Sequence, residues 1–153
     1  MSITVSLEEF RNSVGRVLQP SDWLEVTQER VNQFADATLD HQFIHLDTER
    51  AAATPFGGTI AHGYLTLSLL VHLNEQPALH PEGMQMVINY GSDKVRFLAP
   101  VRVGSRIRTQ QKVLDVSQRG ESNWLVKIET TVEIEGGSKP AMLAEVLMLY
   151  VLA

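Results

Sequence analysis

The chain contains no cysteine, which excludes disulfides, thiol nucleophiles and zinc–thiolate centres. It carries no excess of positive charge either. Its 13 Lys and Arg are scattered against 18 Asp and Glu, a net charge of −5, so nucleic-acid binding is not expected. No apolar run reaches the roughly 18 residues needed to span a bilayer, and no membrane association is expected. The start, M-S-I-T-V-S-L-E-E-F, lacks the basic residues and apolar stretch of a signal peptide. With cysteine absent too, a cytoplasmic location is the expectation. Repeats, low-complexity tracts and linkers are missing. What is present, 153 residues at 44% hydrophobic and 20% charged, suits one globular domain over 1–153.

The pattern changes near residue 83, from helical to extended. Leu7 to Gly15 reads as a short helix with Leu7, Phe10 and Val14 on one face. Asp22 to Val26 suits a short strand. Thr27 then caps a second helix in which Val31, Phe34 and Ala35 recur at helical spacing. Thr48 to Ala53 forms another turn, broken by Pro55 and Gly57-Gly58. Ile60 to Leu73 is apolar around most of its circumference, so it must be enclosed by other structure, as a central core helix. From Trp124 to Ile134 every even position is apolar or β-branched, the alternation of a long half-buried strand. Gly136-Gly137-Ser138 turns the chain into Met142 to Leu152, apolar on both faces. Met84 to Asn89 and Arg106 to Val116 supply two more strands, with Lys94 to Phe97 resuming after a break at Gly91. Antiparallel strands after one buried helix predict an α+β fold, a curved sheet wrapped around that helix.

Chemistry concentrates in D-H-Q-F-I-H, Asp40 to His45. In one helix these two residues would diverge by about 140°, but in a loop they can converge. A carboxylate and an imidazole meeting in an apolar pocket can hold one water and move protons to and from it. Phe43, Ile44 and Phe56 would keep such a pocket dry. Two other readings stand beside this one: capping or solvated loop residues, and a metal site from His41 and His45 at i, i+4 with Asp40 or Asp47. Against the metal, Gln-Phe-Ile is poor helix and no H-E-x-x-H glutamate is present.

The loop T-P-F-G-G-T-I-A-H-G, Thr54 to Gly63, runs into the core helix. The first turn of a helix has free N–H groups and a partial positive charge. Aimed at a carbonyl oxygen they form an oxyanion hole, worth on the order of 10²–10³ in rate per donor. Gly63 is the natural donor, since glycine lets a substrate approach the backbone; a turn and tight packing would explain the same glycines.

These motifs resemble the MaoC-like, (R)-specific enoyl-CoA hydratase family (hydratase 2), nearest its nodulation-protein-N-like branch. That family carries G-D-x-N-P-x-H and then I-x-H-G at the start of its central helix; here the residues are L-D-H-Q-F-I-H and I-A-H-G. The likeness continues through Asn89 to Arg106 and covers most of the chain from about Asp22. Leu39 stands where the motif has glycine, and Gln42-Phe43 replaces Asn-Pro.

The resemblance implies a hot-dog fold and a hydro-lyase of fatty-acid metabolism acting on trans-2-enoyl thioesters of coenzyme A. Asp40 would accept a proton from the attacking water, His45 would orient that water and help return a proton to C2, and the Gly63 N–H would hold the developing enolate oxygen. No metal and no cofactor is implied beyond the coenzyme A carried by the acyl-CoA substrate. Lys94 and Arg96, with Arg102 and Arg106, are candidates for the coenzyme A phosphates, or else a solvated basic edge. His41, His62, His72 and His80 are assigned to packing or surface. Tyr64, Leu65 and Ser68 are candidates for an acyl pocket. A homodimer joined by sheet pairing is implied, with Met142 to Leu152 too apolar to be left as a bare edge. The alternatives are a hot-dog thioesterase, and a non-catalytic acyl-CoA-binding module.

Overall fold

Local signals set most element boundaries in the computed structural model, which describes residues 1–153. After β1 (Ile3–Val5), Ser6 accepts the Glu9 N–H at 3.1 Å and opens α1 (Leu7–Arg11). After β2 (Leu24–Glu25), Thr27 accepts the Arg30 N–H at 3.2 Å and opens α2 (Gln28–Thr38). Asp47 separates a single turn, α3 (Phe43–Leu46), from α4 (Thr48–Ala52), accepting the Arg50 N–H at 3.0 Å. Such caps satisfy the first-turn amides that a helix cannot satisfy itself. The core helix α5 spans Gly63–Glu75, followed by β3 (Leu79–Pro81), β4 (Met84–Phe97), β5 (Arg106–Gln118), β6 (Asn123–Ile134) and β7 (Met142–Leu152).

β1 and β3 pair in parallel, while the main sheet is antiparallel in the order β2-β5-β6-β7-β4. It curls around α5 in the hot-dog arrangement. The alternation of β6 puts Trp124, Val126, Ile128, Thr130 and Val132 on the inner face, opposite buried Met142, Ala144, Val146 and Tyr150 of β7. Leu65, Leu70 and Leu73 of α5 join them in a core of 22 buried residues reaching from Val5 to Tyr150. Burying one such leucine is worth about 1.5–3 kcal/mol. No helix is long and apolar enough to cross a membrane.

Three expectations are corrected. Gly91 does not break the strand: β4 runs on through it, with register irregularities at Asn89/Gly91 and Ser92/Lys94 that absorb extra residues as bulges. Met142 to Leu152 is no edge, because β7 is flanked by β6 and β4; the long bare edge belongs to β4. Helix α5 is covered on one side only. Tyr64 and Val71 remain exposed on the other, so its all-round apolarity exceeds what this chain can bury alone.

Candidate active site

The site begins where α2 ends. Leu39 caps the helix in the left-handed conformation, φ 64° and ψ 18°, the chain's one positive-φ residue other than glycine. That turn ends the helical path and sends Asp40 away from the α2 axis. Asp40 Oδ1 then accepts the Gln42 N–H at 3.3 Å, and the one-turn helix α3 carries His45 back inward. The sequence predicts Phe43-Ile44 to be extended or irregular rather than helical; four residues suffice for a turn closed by the Asp47 N–H on the Phe43 carbonyl at 2.9 Å.

His45 is buried and held from several directions. Its Nδ1–H donates to the Ile60 carbonyl at 2.7 Å, and the Ile60 N–H donates to the Ile44 carbonyl at 3.0 Å. Gln28 Nε2 donates to the His45 carbonyl at 2.8 Å and is itself oriented by the Thr59 hydroxyl. This fixes the tautomer, leaving Nε2 of the neutral ring as a bare acceptor. Burial pushes the His45 pKa down; the Ile60 hydrogen bond opposes that, nearby His62 lowers it further, and Asp40 raises it. Phe43 and Ile44 are only half-buried and Phe56 is exposed, so the dry surroundings expected around Asp40 form around His45 instead. The Asp40 side chain is 52% exposed.

The structure adds His62, which sequence reading assigned to packing. Its ring stacks on His45, centroids 3.8 Å apart and planes 24° apart, with Phe34 tilted against it at 4.9 Å. Its Nε2–H donates to the Asp40 main-chain carbonyl at 3.0 Å and lies 4.0 Å from Asp40 Oδ2. The one available hint was its place beside Gly63; contact with residues 40 and 45 depends on tertiary closure.

Ligand atoms of Asp40, His45 and His62 all lie within 4.8 Å of one another. Two acceptors each about 2.8 Å from one water oxygen, at a tetrahedral angle, stand about 4.5 Å apart, so this spacing suits a shared water. It suits a cation less well. Nitrogen lone pairs lie in the ring planes, and two nearly parallel stacked rings do not aim them at one point about 2.1 Å away. His41 lies outside α3 and pairs with Asp36 at 2.9 Å, so it does not share a helical face with His45.

Gly63 is the first residue of α5, directly after His62. Its N–H has no acceptor in the chain, and His62 supplies no side-chain cap. The Phe97 ring covers its Cα, where an added Cβ would lie 3.0 Å from the nearest ring carbon. Gly63 lines a cleft of about 260 Å³ with Phe56, Ile60, Thr66, Phe97 and Pro100. A larger cavity of about 620 Å³ contains none of Asp40, His45 or Gly63. It begins one to two turns farther along α5, at Leu67 and Ser68, and runs between Leu70, Val87, Val146 and Met148. Tyr64 is exposed and Leu65 buried in the core.

Lys94 and Arg96 stand opposite Glu145 and Leu143 in register, whereas Phe97 stands opposite buried Met142. Strand alternation therefore puts both cations on the outer sheet face, away from Gly63. Arg102 donates to the Phe56 carbonyl at 3.0 Å and lies across Gly58, where a Cβ would meet its guanidinium; it braces the loop before α5. Arg106 pairs with Glu135 at 3.0 Å, and His80 with Glu75 at 3.1 Å.

Comparison with known proteins identifies the family. Residues 9–135 match the MaoC like domain. The chain is 49% identical over 146 residues to 3-hydroxyacyl-thioester dehydratase Z of Mycobacterium tuberculosis, covering 95% of this chain and 96% of that one. It is 46% identical over 141 residues to nodulation protein N of Rhizobium leguminosarum, covering 92% and 88%. Among solved structures, the unliganded R-hydratase PhaJ1 of Pseudomonas aeruginosa superposes with a TM-score of 0.72 at 25% identity, covering 92% and 83%. An Asp–His pair around a water-sized gap, a glycine amide opening an internal helix, and these matches together place the chain in the MaoC-like family.

Proposed function

We propose that this protein is a hydro-lyase that adds water to a trans-2-enoyl-CoA to give the (R)-3-hydroxyacyl-CoA, and catalyses the reverse dehydration. The names of its relatives, a 3-hydroxyacyl-thioester dehydratase and an R-hydratase, support this reaction class. The observation that carries it is the separation of Asp40 and His45, which suits one water between two acceptors.

The chemistry follows from the acceptors. His45 Nε2 takes one hydrogen bond from the water and the Asp40 carboxylate takes the other, so an oxygen lone pair is left for C3 of the enoyl group. As the C3–O bond forms, Asp40 accepts one proton and the C2=C3 electrons move toward the thioester oxygen, where the unpartnered Gly63 N–H receives the charge. The proton then passes to C2 with help from His45; the second water hydrogen stays on the new hydroxyl. Proton transfer contributes roughly 10²–10⁴ in rate and an oxyanion donor on the order of 10²–10³. The addition is redox-neutral, so the proposed reaction calls for no redox cofactor, and its acid–base and oxyanion groups are all supplied by the chain, with no metal invoked. A cytoplasmic setting is the natural one for a chain without cysteine.

We place a homodimer contact on the bare β4 edge, where Met86, Ile88 and Tyr90 are exposed, and on the exposed Tyr64–Val71 stripe of α5.

The test follows enoyl-thioester absorbance. Asp40→Asn and His45→Gln should each abolish its loss while circular dichroism stays native; near wild-type turnover in either removes that residue from the mechanism. Release of free coenzyme A would assign hydrolysis instead, and binding without turnover a carrier role.

A further inference from the structure

We propose that His62 is a positioning residue of this site, setting where the Asp40 carboxylate and the His45 imidazole stand relative to each other. The inference rests on the hydratase reading for its kinetic consequences and on geometry alone for the rest.

His62 sits on a rigid base. The preceding Ala61 N–H donates to the Val101 carbonyl at 2.8 Å, and the His62 carbonyl accepts the N–H groups of Leu65 and Thr66 at 3.0 and 3.2 Å. From there the side chain, 3% exposed, reaches two segments distant in sequence. One contact is the hydrogen bond to the Asp40 carbonyl. That carbonyl directly follows Leu39, whose left-handed backbone is disfavoured for any residue with a Cβ, so the turn that aims Asp40 needs a tie from outside. The only other hydrogen bond of Asp40 is local, accepted from the Gln42 N–H at 3.3 Å. The second contact is the stack on His45. With Nδ1 held by Ile60 and one ring face closed by His62, the His45 ring has a single direction left for Nε2.

Packing alone does not account for this residue. A phenylalanine would fill the volume and stack equally well between Phe34 and His45. It would also avoid the buried His62 Nδ1, which has no hydrogen-bond partner. A bare buried polar atom is a destabilising feature. What the imidazole provides and phenylalanine lacks is the Nε2–H donor.

The test compares His62→Phe, which keeps the ring and removes the donor, with His62→Gln, whose amide can donate from nearly the same place. His62→Phe should lower kcat by about 10- to 100-fold, the scale of a slightly misplaced reacting group, with KM nearly unchanged. His62→Gln should recover most of that loss. Wild-type kcat in a folded His62→Phe, or equal losses in both variants, overturns the proposal. Long-range proton–nitrogen NMR of the wild type supplies a readout independent of turnover. It should show the His62 proton on Nε2, and His62→Phe should shift the amide signals of Leu39 to Gln42. A proton on Nδ1, or unmoved amides, overturns the proposal whatever the activity. Failure of the wild type on every enoyl thioester would refute the hydratase reading and leave this NMR result to decide the positioning role.

Discussion

Leu39→Gly puts back the glycine that the family motif carries before its aspartate, and the structure sets the size of the effect. Leu39 occupies φ 64° and is 80% exposed. A left-handed backbone costs a residue with a Cβ about 1–2 kcal/mol, which glycine escapes. Glycine in turn gains freedom in the unfolded chain, an opposing effect of about 0.4–1 kcal/mol. The exposed leucine gives up little burial, so the net gain should be about 0.5–1 kcal/mol. In a chain of this size that raises Tm by roughly 1–4 °C. Urea denaturation should show a higher midpoint at constant m. Because the backbone path is unchanged, kcat should stay within about threefold of wild type, equivalent to a barrier change of about 0.6 kcal/mol. A loss of stability would show that Leu39 is not left-handed in solution, and the account of how Asp40 is aimed would fall with it.

Because burial lowers the His45 pKa, activity should be lost as pH falls through a value below its ordinary one of about 6.5, where the bare Nε2 becomes protonated. An NMR titration giving His45 a pKa above that value refutes the assignment. The same shift makes the folded protein resist a proton that the unfolded chain accepts. Stability should therefore fall as pH drops below about 6.5, and fall less in His45→Gln, as thermal melts across pH would show. Leu73 is fully buried under the sheet, and Leu73→Ala should cost about 2–5 kcal/mol in urea unfolding. On the proposed homodimer, Val71→Glu places a charge on the exposed stripe of α5 and should halve the mass that light scattering gives for the wild type; an unchanged dimer mass would move the contact elsewhere, and a monomeric wild type would refute the dimer.

What the sequence reveals here is what local periodicity can encode. Strand β6 was legible because one face meets the core and the other is only half-covered, so burial alternates residue by residue from Val126 to Val132. β7 shows the limit. Residues apolar on both faces say that the strand is to be covered, yet they do not say which strands stand beside it, and the pairing with β4 is a long-range choice made by the whole sheet. The Asp–His spacing was legible as a motif, but the left-handed turn at Leu39 and the reach of His62 were not. Each depends on backbone that the sequence brings together only after folding.

The distribution of burial around the site carries the argument further. A general base works best in dry surroundings, yet this chain buries His45 and His62 while leaving Asp40 half in solvent. It also leaves open the edge of β4, the Tyr64–Val71 stripe and the apolar cleft beside Gly63. The chain thus holds its imidazoles in a finished environment and its carboxylate in an unfinished one. Covering that apolar surface, by an acyl chain in the cavity along α5 or by a second protomer on β4, would exclude water where the oxyanion forms. The hydrogen bonds that hold the site lie within one chain, whereas its half-exposed carboxylate would be dried only by a bound acyl group or a second copy.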